Sequence, residues 1–261
     1  MDLVRIAKFI VHIPKGYSIW WNFIAPVLRR KEWHSLVDIE GFKMILNLGL
    51  ELDFQYALGL YDKRELEFLV SAYEEDTHFL DIGANQGFYT LYMASKIPNA
   101  RIMAFEPDPR NYDKLNKNIR INRFNNIKVS PCALSDNGDP KTLFLSTHRN
   151  WGGSSMVVSQ LQWQKKEVAI KVPCMTLLDV LKVNDVKKVS CAKMDIEGYE
   201  YVLLKKFFEE APRTYYPQTI IVEEHGHVID LVGGSSVELL INQGYRLTGH
   251  TDYNYFFRID K

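Results

Sequence analysis

The sequence has little cysteine and no apolar run long enough to cross a membrane. Its three cysteines, Cys132, Cys174 and Cys191, form no CxxC pair, and each lies in or beside an apolar stretch. We therefore expect small buried side chains in a reducing compartment, which favours a cytoplasmic protein. No apolar run approaches the roughly 18 residues of a membrane-spanning helix, and no cleavable signal is apparent near the N-terminus.

The chain also lacks an excess of charge of either sign. Lys plus Arg number 32 and Asp plus Glu number 32, so a global polycation for nucleic acid is not indicated, and we expect no nucleic-acid partner. Hydrophobic residues make up 46% of the chain and charged residues 25%, a mixture typical of globular proteins. A length of 261 residues suits one large α/β domain, alone or with an N-terminal extension.

A glycine turn between a strand and a helix is the main positive signal. Residues 81–87 read Asp-Ile-Gly-Ala-Asn-Gln-Gly and directly follow the apolar pair Phe79 and Leu80. Because Gly83 and Gly87 lack a Cβ, they can adopt a positive φ and let a ligand approach the backbone closely. The sequence therefore predicts a ligand-binding turn that opens a helix.

The composition of this turn indicates which ligands it can bind. A dinucleotide fingerprint needs GxGxxG, and Asn85 occupies the position of its second glycine; no GKS/T motif of a P-loop is present either. A turn with only two glycines suits a nucleoside without a pyrophosphate, and S-adenosyl-L-methionine is the obvious one. We expect Asp81 to face the amino-acid ammonium of this cofactor, directly or through water.

Two further carboxylates follow the next strands. Glu106 lies 25 residues after Asp81 at the end of the predicted strand 101–105, where a carboxylate can accept hydrogen bonds from both ribose hydroxyls. Asp136 follows the third strand, where an adenine amino group is expected. A plain turn-forming role for Asp136, ahead of Asn137 and Gly138, stays open.

Strand and helix patterns alternate from residue 78 onward, which predicts a mostly parallel α/β sheet covered on both faces. A final hairpin over 245–250 and 255–259 adds an antiparallel strand after a helix at 235–243. The other predicted strands are 78–82, 101–105, 127–131, 189–194 and 219–223, and the helices between them are 87–96, 109–122, 176–182 and 199–209.

We divide the chain at residue 75. The extension 1–74 begins with an amphipathic helix over 1–13, followed by an aromatic segment at 17–28 with a basic flank. We expect a short strand pair within 42–60, with a helical turn as an open alternative there, and a helix over 61–70. Contact with a membrane surface, packing on the main domain and homo-oligomerisation stay open for the aromatic segment. The main domain, 75–261, contains a β insertion at 137–173 near the ligand face.

Charged residues cluster at the ends of two later strands. Lys193, Asp195 and Glu197 share one side if the extended conformation continues, and three such charges at a buried strand end are costly unless paired or functional. We expect Asp195 to face the sulfonium and the acceptor, with Lys193 tuning its charge. Glu223 and His225 share a face at the next strand end, and we favour His225 over His227 as general base.

These acids and His225 could also form an oxygen-rich divalent metal site, although no spacing is diagnostic and a metal is not predicted. Trp151, in the small-residue segment Trp-Gly-Gly-Ser-Ser of the insertion, suits a lid or a sugar-stacking platform. Trp163, Tyr253 and Tyr255 suit a similar role. A structural network of the lysine with the carboxylates, and ordinary packing of the aromatics, are the alternatives for these groups.

Several motifs in register resemble the FkbM family of S-adenosylmethionine-dependent methyltransferases, over roughly residues 75–225. They are Asp-Ile-Gly-Ala-Asn-Gln-Gly-Phe-Tyr-Thr from Asp81, Phe-Glu-Pro-Asp-Pro from Phe105, Leu115 with Asn118 and Asn122, Ala-Leu-Ser-Asp ending at Asp136, and Lys-Met-Asp-Ile-Glu-Gly-Tyr-Glu from Lys193. The resemblance implies a class I methyltransferase (Rossmann-like) fold and O-methylation of a sugar or natural-product hydroxyl. It maps cofactor positions onto Asp81, Gly83, Asn85, Gly87, Glu106 and Asp136.

The sequence thus favours an S-adenosylmethionine-dependent O-methyltransferase with a small-molecule or glycan acceptor. We assign Asp195, Lys193, Glu223 and His225 to catalysis, and Trp151 with Glu197 to the acceptor. A nicotinamide-dependent oxidoreductase is the alternative enzyme class, although it predicts the glycine that Asn85 replaces. A non-catalytic degenerate domain that keeps the fold is the other alternative, although it predicts loss of Asp81 or Glu106.

Overall fold

The computed structural model describes residues 3–61, 63–146, 152–157 and 168–259. Its strands, in chain order, are β1 (Ser35–Ile39), β2 (Phe42–Leu46), β3 (His78–Ile82), β4 (Arg101–Phe105), β5 (Ile127–Ser130), β6 (Ala133–Leu134), β7 (Lys141–Leu145), β8 (Val168–Val172), β9 (Cys174–Met175), β10 (Val189–Met194), β11 (Thr219–Glu223), β12 (Arg246–His250) and β13 (Asn254–Arg258).

The helices surround the largest sheet. In chain order they are α1 (Leu3–Val11), α2 (Gly16–Ile19), α3 (Ala25–Arg30), α4 (Glu51–Leu58), α5 (Lys63–Ala72), α6 (Phe88–Lys96), α7 (Pro109–Asn122), α8 (Leu177–Val183), α9 (Glu200–Glu210), α10 (Ile229–Val232) and α11 (Ser236–Asn242), with a π-helical turn at Trp20–Ile24 between α2 and α3 and a 3₁₀ turn at Arg213–Tyr215.

The central sheet has seven strands in the order β12-β13-β11-β10-β3-β4-β5. Strands β5, β4, β3, β10 and β11 are parallel, and β13 pairs antiparallel with both β11 and β12, so β13 alone runs against the other six. The chain winds from β3 out to β5 and then returns to β10 on the other side of β3. In such sheets the crevice for a ligand lies at this change of direction, outside the carboxyl ends of the strands. The predicted α/β fold class with its antiparallel hairpin is confirmed.

Strand alternation gives the sheet two buried faces. Leu80 and Ile82 of β3 contact one hydrophobic cluster together with α8, α9 and α11, while Phe79 contacts another with α5 and α6. All six residues of β10 are buried, as expected for a central strand covered on both sides. The cysteines follow the prediction: Cys132, Cys174 and Cys191 are buried free thiols.

The predicted strand pair within 42–60 is wrong in its second half. Strand β2 pairs antiparallel with β1, which precedes the predicted range, and residues 51–58 form helix α4. Helix α4 has Glu51 and Asp53 in its first turn and ends at Gly59, whose φ of 72° is left-handed. Early acids and a glycine after the last turn are ordinary helix signals, and they could have identified α4 from the sequence.

The N-terminal extension packs on the same molecule rather than standing apart. Trp20 is fully buried, donates its indole N–H to the Leu48 carbonyl at 3.1 Å, and lies 5.1 Å from the Phe54 ring. Two asparagines of α7 form hydrogen bonds with the edge of β2. The side-chain oxygens of Asn118 and Asn122 accept hydrogen bonds from backbone N–H groups of that strand at 2.8 and 2.7 Å. The extension is therefore joined to the main domain by hydrogen bonds to α7 and by a hydrophobic cluster that contains Trp20 together with Phe88 and Leu91 of α6.

The described parts of segment 137–173 contain two strands. Strands β7 and β8 pair antiparallel, and Ser155 forms a bridge with Phe144 of β7. Trp151 lies outside the described residues. Among the described residues, no helix combines the length and apolar character required to cross a membrane.

Gly83 tests how tightly the glycine turn is packed. Gly59 and Gly83 have similar left-handed φ values, 72° and 83°, but a Cβ at Gly59 meets nothing within 4 Å, whereas one at Gly83 would lie 1.8 Å from the Asp195 carbonyl oxygen. We expect Gly59→Ala to lower the free energy of unfolding by roughly 1–2 kcal/mol, the cost of the left-handed backbone. Gly83→Ala should lose roughly 1–3 kcal/mol more because backbone must move. Urea denaturation measures both, and equal losses would contradict the packing.

Candidate active site

A cavity of about 510 Å³ opens at the carboxyl ends of β3, β4, β10 and β11. The glycine turn and the strand ends form one wall, helices α4 and α5 form another, and the β insertion contributes a third. Its polar and aromatic lining residues include Tyr56, Arg64, Glu65, Asn85, Tyr89, Glu106, Asp195, Glu197, Glu223, Asp252, Tyr253 and Asn254.

The glycine turn is held against two neighbouring strands. The backbone N–H groups of Gly83 and Ala84 both donate to the Phe105 carbonyl, at 3.0 and 2.9 Å. Gly83 lies against the backbone of Asp195, so a side chain at position 83 would collide with the residue that follows the neighbouring strand β10. Gly87 has a φ of 95°, and a Cβ there would lie 2.4 Å from Leu115. At Gly83 a side chain would therefore meet backbone, whereas at Gly87 it would meet the end of the Leu115 side chain.

Glu106 connects the turn to the end of β4. Its carboxylate accepts from the backbone N–H of Asn85 at 2.7 Å and from that of Asp108 at 2.8 Å. The side chain is almost fully buried, and burial raises its pKa to about 8 despite these two donors. Glu106 also lines the cavity, so a carboxylate held in place by two backbone amides faces the space expected for a ribose.

Asp81 lies beneath the turn and is not one of the lining residues. The hydroxyl of Thr90 donates to its carboxylate, and burial raises the pKa of Asp81 to about 6. Gly83 and Asn85 line the cavity, whereas Gly87 is the residue before α6 and does not. Within the turn, the residues nearest Gly83 therefore face the cavity. Asp81 can act on a ligand only through an intervening group.

The structure does not support the adenine contact expected of Asp136. Its carboxylate accepts from Tyr199 at 3.0 Å and from Ser135 at 2.8 Å, and Lys141 lies 2.9 Å away. Burial opposes ionisation, but these donors hold the pKa of Asp136 down to about 2. Asp136 does not line the cavity. The carboxylate is instead paired with a basic residue of β7 and a tyrosine distant in sequence, and the adenine contact stays a prediction.

Lys193 is the buried cation beneath the cavity. Its side chain is 1% exposed, and its ammonium donates to Asp195 and to the Asn254 side chain, both at 3.1 Å. The ring centroid of Tyr89 lies 5.3 Å from the ammonium. Burial would lower the pKa of Lys193, but Asp195, Glu223 and Glu65 raise it above its ordinary value. The ammonium therefore stays charged and holds carboxylates of several elements together.

Asp195 and Glu197 both line the cavity, but they do not lie on one extended strand. Strand β10 ends at Met194, and Glu197 has a left-handed φ of 55°, so the extended conformation expected to bring three charges onto one side does not continue. Glu200 shapes this loop by accepting from the backbone N–H groups of Ile196 and Gly198 at 2.7 and 3.0 Å. Lys193 helps to lower the pKa of Asp195, whereas burial raises that of Glu197 well above its ordinary value.

His225 lies behind Glu223 as seen from the cavity. Glu223 lines the cavity, and its carboxylate is 3.3 Å from Nε2 of His225, which does not line it. The Tyr253 ring, a lining residue, lies 4.7 Å from the His225 ring. Burial and Asp195 raise the pKa of Glu223, and His225 opposes them; in return Glu223 raises the pKa of His225. The sequence predicted that Glu223 and His225 share a face, and the two side chains lie side by side.

Glu197, Glu223 and His225 also place one potential ligand atom each within 4.8 Å of one another. Two carboxylates and an imidazole are acceptable ligands for several divalent ions. Among the described residues these three make up the whole grouping, which equally fits a Glu223–His225 ion pair beside Glu197.

Sequence reasoning missed the wall formed by α4 and α5. Glu65 of α5 is buried and accepts from Tyr89, from Thr251 at 2.9 Å and from Asn254 at 3.0 Å. Tyr56 of α4 stacks on Phe88 with ring centroids 4.1 Å apart. Both belong to the segment that we treated as an extension. A glutamate in the first turn of an amphipathic helix looks like an ordinary surface acid, so the sequence carried no signal for Glu65.

The strand order, the antiparallel β13, the glycine turn after β3 and the acid after β4 together define the fold of the class I, S-adenosylmethionine-dependent methyltransferases. A family model described as "Methyltransferase FkbM domain" matches residues 81–247, which is more than half of the chain. The chain belongs to this family.

Three curated relatives carry methyltransferase names. Methyltransferase 1 of Beauveria bassiana is 25% identical over 64% of this chain and 77% of its own length. Methyltransferase sdnD of Sordaria araneosa is 31% identical over 50% of this chain and 60% of its own. The hexuronic acid methyltransferase AglP of Haloferax volcanii is 24% identical over 62% of each chain. The chain therefore spans about three fifths of the latter two proteins.

Solved structures with the same general fold are more distant. The precorrin-6y C5,15-methyltransferase of Geobacter metallireducens covers 74% of this chain and 86% of its own at 13% identity and a TM-score of 0.42. The TYW2 protein of M. jannaschii in complex with AdoMet covers 86% and 83% at 13% identity and a TM-score of 0.42. The fold assignment therefore depends on the strand order and the family match.

Glu106 and Asp136 give a matched test of the cofactor end. Glu106→Ala should weaken the affinity for S-adenosylhomocysteine by about 1–3 kcal/mol, the scale for a lost charged hydrogen-bond partner. Asp136→Ala should leave the affinity unchanged, because Asp136 faces Lys141 and Tyr199 instead of the cavity. Isothermal titration calorimetry measures both. An equal loss in Asp136→Ala would restore the adenine assignment, and no loss in Glu106→Ala would remove the ribose assignment.

Proposed function

We propose that the protein is an S-adenosylmethionine-dependent O-methyltransferase whose acceptor is a neutral hydroxyl of a sugar, a glycan or a natural product. The observation that carries the proposal is one cavity that contains, on one side, the glycine turn with Glu106 and, on the other, Asp195 and Glu223. The family membership supports methyl transfer as the reaction class.

The residues around the turn fit the cofactor. A cavity of about 510 Å³ is large enough for a nucleoside with an amino-acid tail plus part of an acceptor. Glu106 would hold the ribose, the backbone near Gly83 would hold the methionine end, and Asp81 would act on that end from beneath the turn. When bound, S-adenosylmethionine supplies a methyl group on a positively charged sulfonium. Ala133 and Leu134, which form the short strand β6 after β5, line the cavity and would offer apolar surface for adenine.

The charge of the cavity supports a neutral acceptor. Six carboxylates are among its described lining residues, whereas Arg64 is the one basic residue there. A phosphate or carboxylate on the acceptor would be repelled by these groups unless they were protonated. Nucleic acid is therefore disfavoured as acceptor, in agreement with the balanced composition. The acid-lined cavity also favours a neutral sugar over a hexuronic acid of the kind named for AglP.

Aromatic side chains supply the acceptor surface. Tyr56, Tyr61, Tyr89 and Tyr253 all line the cavity. Tyrosine rings offer flat apolar faces for the C–H faces of a sugar ring and hydroxyls for its polar edge. Methyl transfer needs mainly in-line positioning of the acceptor oxygen, which a stacked ring would provide. Trp151, also assigned to the acceptor from the sequence, keeps that assignment as a proposal.

Glu223 is the base that the geometry favours, with His225 behind it. Glu223 faces the cavity, and burial and Asp195 raise its pKa toward the range useful for general base catalysis. A hydroxyl proton of the acceptor would move to the Glu223 carboxylate while Asp195, paired with Lys193, stays ionised. His225 would stabilise the ionised form of Glu223 from the other side. This assignment revises the sequence-based preference for His225 as the base itself.

Two other functions, a nicotinamide-dependent oxidoreductase and a non-catalytic domain, fit the chain less well than a methyltransferase. Family membership removes the nicotinamide-dependent oxidoreductase as a reaction class. A degenerate domain without activity predicts loss of Asp81 or Glu106, and both are present.

The pH dependence of methyl transfer separates the two roles. In His225→Ala, loss of the group that lowers the pKa of Glu223 should move the acidic limb of the activity profile upward by roughly one pH unit or more. Activity should then recover as the pH rises toward 9. Glu223→Gln should reduce turnover by about 10²–10⁴ at every pH. His227→Ala is the matched control and should leave the profile unchanged. If His225→Ala stays inactive up to pH 9, His225 itself is the base.

Ligand binding and product analysis test the function as a whole. Saturating S-adenosylhomocysteine should raise the thermal unfolding temperature, and NAD should not, because only a ligand bound by the folded state stabilises it. Mass spectrometry should then detect one added methyl group on a neutral sugar from a mixed panel and none on the matching uronic acid. Stabilisation by NAD alone, or methylation of the uronic acid alone, would contradict the proposal.

A further inference from the structure

An exposed apolar surface covers the outer side of the first helices. Phe9 and Phe23 are the most exposed of its members, at 70% and 72% of their full area, which is unusual for phenylalanine in a folded chain. We define the N-terminal apolar face as Phe9, Ile13, Tyr17, Ile19, Phe23 and Val27, all of which are exposed.

Helical geometry explains why these residues share a side. Ile19, Phe23 and Val27 recur every four residues along the continuous helical segment from α2 to α3, so they form one stripe. The opposite side of this segment, with Trp20 and Trp21, is buried in a cluster that also contains Ala7 of α1. Because α1 and the segment bury their inner sides in the same cluster, their exposed sides lie on the outside of one layer.

Basic side chains accompany this face. The first 34 residues contain six Lys or Arg and two Asp or Glu, although the whole chain is balanced at 32 of each. The positive charge is therefore concentrated at the end that carries the exposed phenylalanines. Trp33, which follows the basic residues of the segment, is itself 53% exposed. The exposed basic residues are Arg5, Lys8, Lys15, Arg30 and Lys31.

We propose that the N-terminal apolar face binds the surface of a membrane that contains anionic lipids. Phenylalanine and isoleucine side chains would enter the boundary between headgroups and acyl chains, and the lysines and arginines would lie near lipid phosphates. An amphipathic helix with an apolar side, basic flanks and an aromatic residue at its edge is built for such contact. The binding is peripheral, since no described helix could span the bilayer.

Charge argues for lipid over a second copy of the chain. A two-fold contact through this face would bring the basic side chains of both copies into one interface. Like charges across an interface cost free energy, whereas an anionic lipid surface neutralises the same residues. The combination of exposed apolar residues with one sign of charge therefore favours an anionic surface.

Co-sedimentation with vesicles tests the proposal on the full chain. The protein should bind vesicles of phosphatidylcholine mixed with phosphatidylglycerol, and bind pure phosphatidylcholine at least about tenfold more weakly because the basic residues then gain nothing. The double variant Phe9→Ser/Phe23→Ser should reduce binding to the anionic vesicles about tenfold or more. Val183→Ser is the matched control, since Val183 is 75% exposed on α8, and it should bind like the unmodified protein.

Both variants alter exposed side chains, so thermal unfolding and S-adenosylhomocysteine binding should stay as in the unmodified protein. Equal binding to neutral and anionic vesicles would overturn the role of charge. Absence of binding to either vesicle would overturn the proposal. A concentration-dependent dimer in analytical ultracentrifugation that Phe9→Ser/Phe23→Ser abolishes would assign the face to a second copy instead. None of these outcomes depends on methyl transfer, so they are independent of the proposed function.

Discussion

The ion pair between Lys193 and Asp195 is the interaction on which the site depends. An ammonium with 1% exposure is stable only where carboxylates compensate for its lost hydration. Here those carboxylates come from strand ends and from α5: Asp195 and Glu223 from the sheet, and Glu65 through Asn254. One buried cation therefore draws the main sheet and the helical extension to the same point. Asp195, held ionised by this pair, lies at the edge of the cavity.

The second constraint is the packing of the glycine turn. Gly83 touches the backbone of Asp195, and Glu106 accepts from the turn at Asn85. The turn, the acid after β4 and the strand end that carries Asp195 are thus mutually fixed, because a shift of one would break a contact with another. A rigid relation between these groups is what transfer of a small group between two bound molecules requires, since a misplacement of about 1 Å is costly. The protein supplies position and charge, and the reactive methyl group belongs to the cofactor.

Much of the sheet could be predicted from the sequence, and much of the acceptor side could not. Strands β3, β4, β10 and β11 match the predicted bounds because buried parallel strands are short, apolar and bounded by clear turns. The contacts of Asp136 with Lys141 and Tyr199 could not be predicted, because sequence spacing does not encode contacts between distant residues. The cavity wall with Glu65 was missed for a related reason: a long-range contact gives a helical glutamate its role. His225 was placed correctly beside Glu223, but only the fold shows which of the two faces the cavity.

A crystal structure with S-adenosylhomocysteine and a neutral sugar bound would test the central claim most directly. The claim is that Glu106 marks the nucleoside end of the cavity and that Asp195 and Glu223 mark the acceptor end. We expect both ribose hydroxyls within hydrogen-bond distance of the Glu106 carboxylate, at about 2.5–3.0 Å. We expect the acceptor hydroxyl at the same distance from Glu223, between the cofactor sulfur and the Glu223–His225 pair. A nucleoside bound away from Glu106, or an acceptor hydroxyl on the side of the cavity opposite Glu223, would contradict the account.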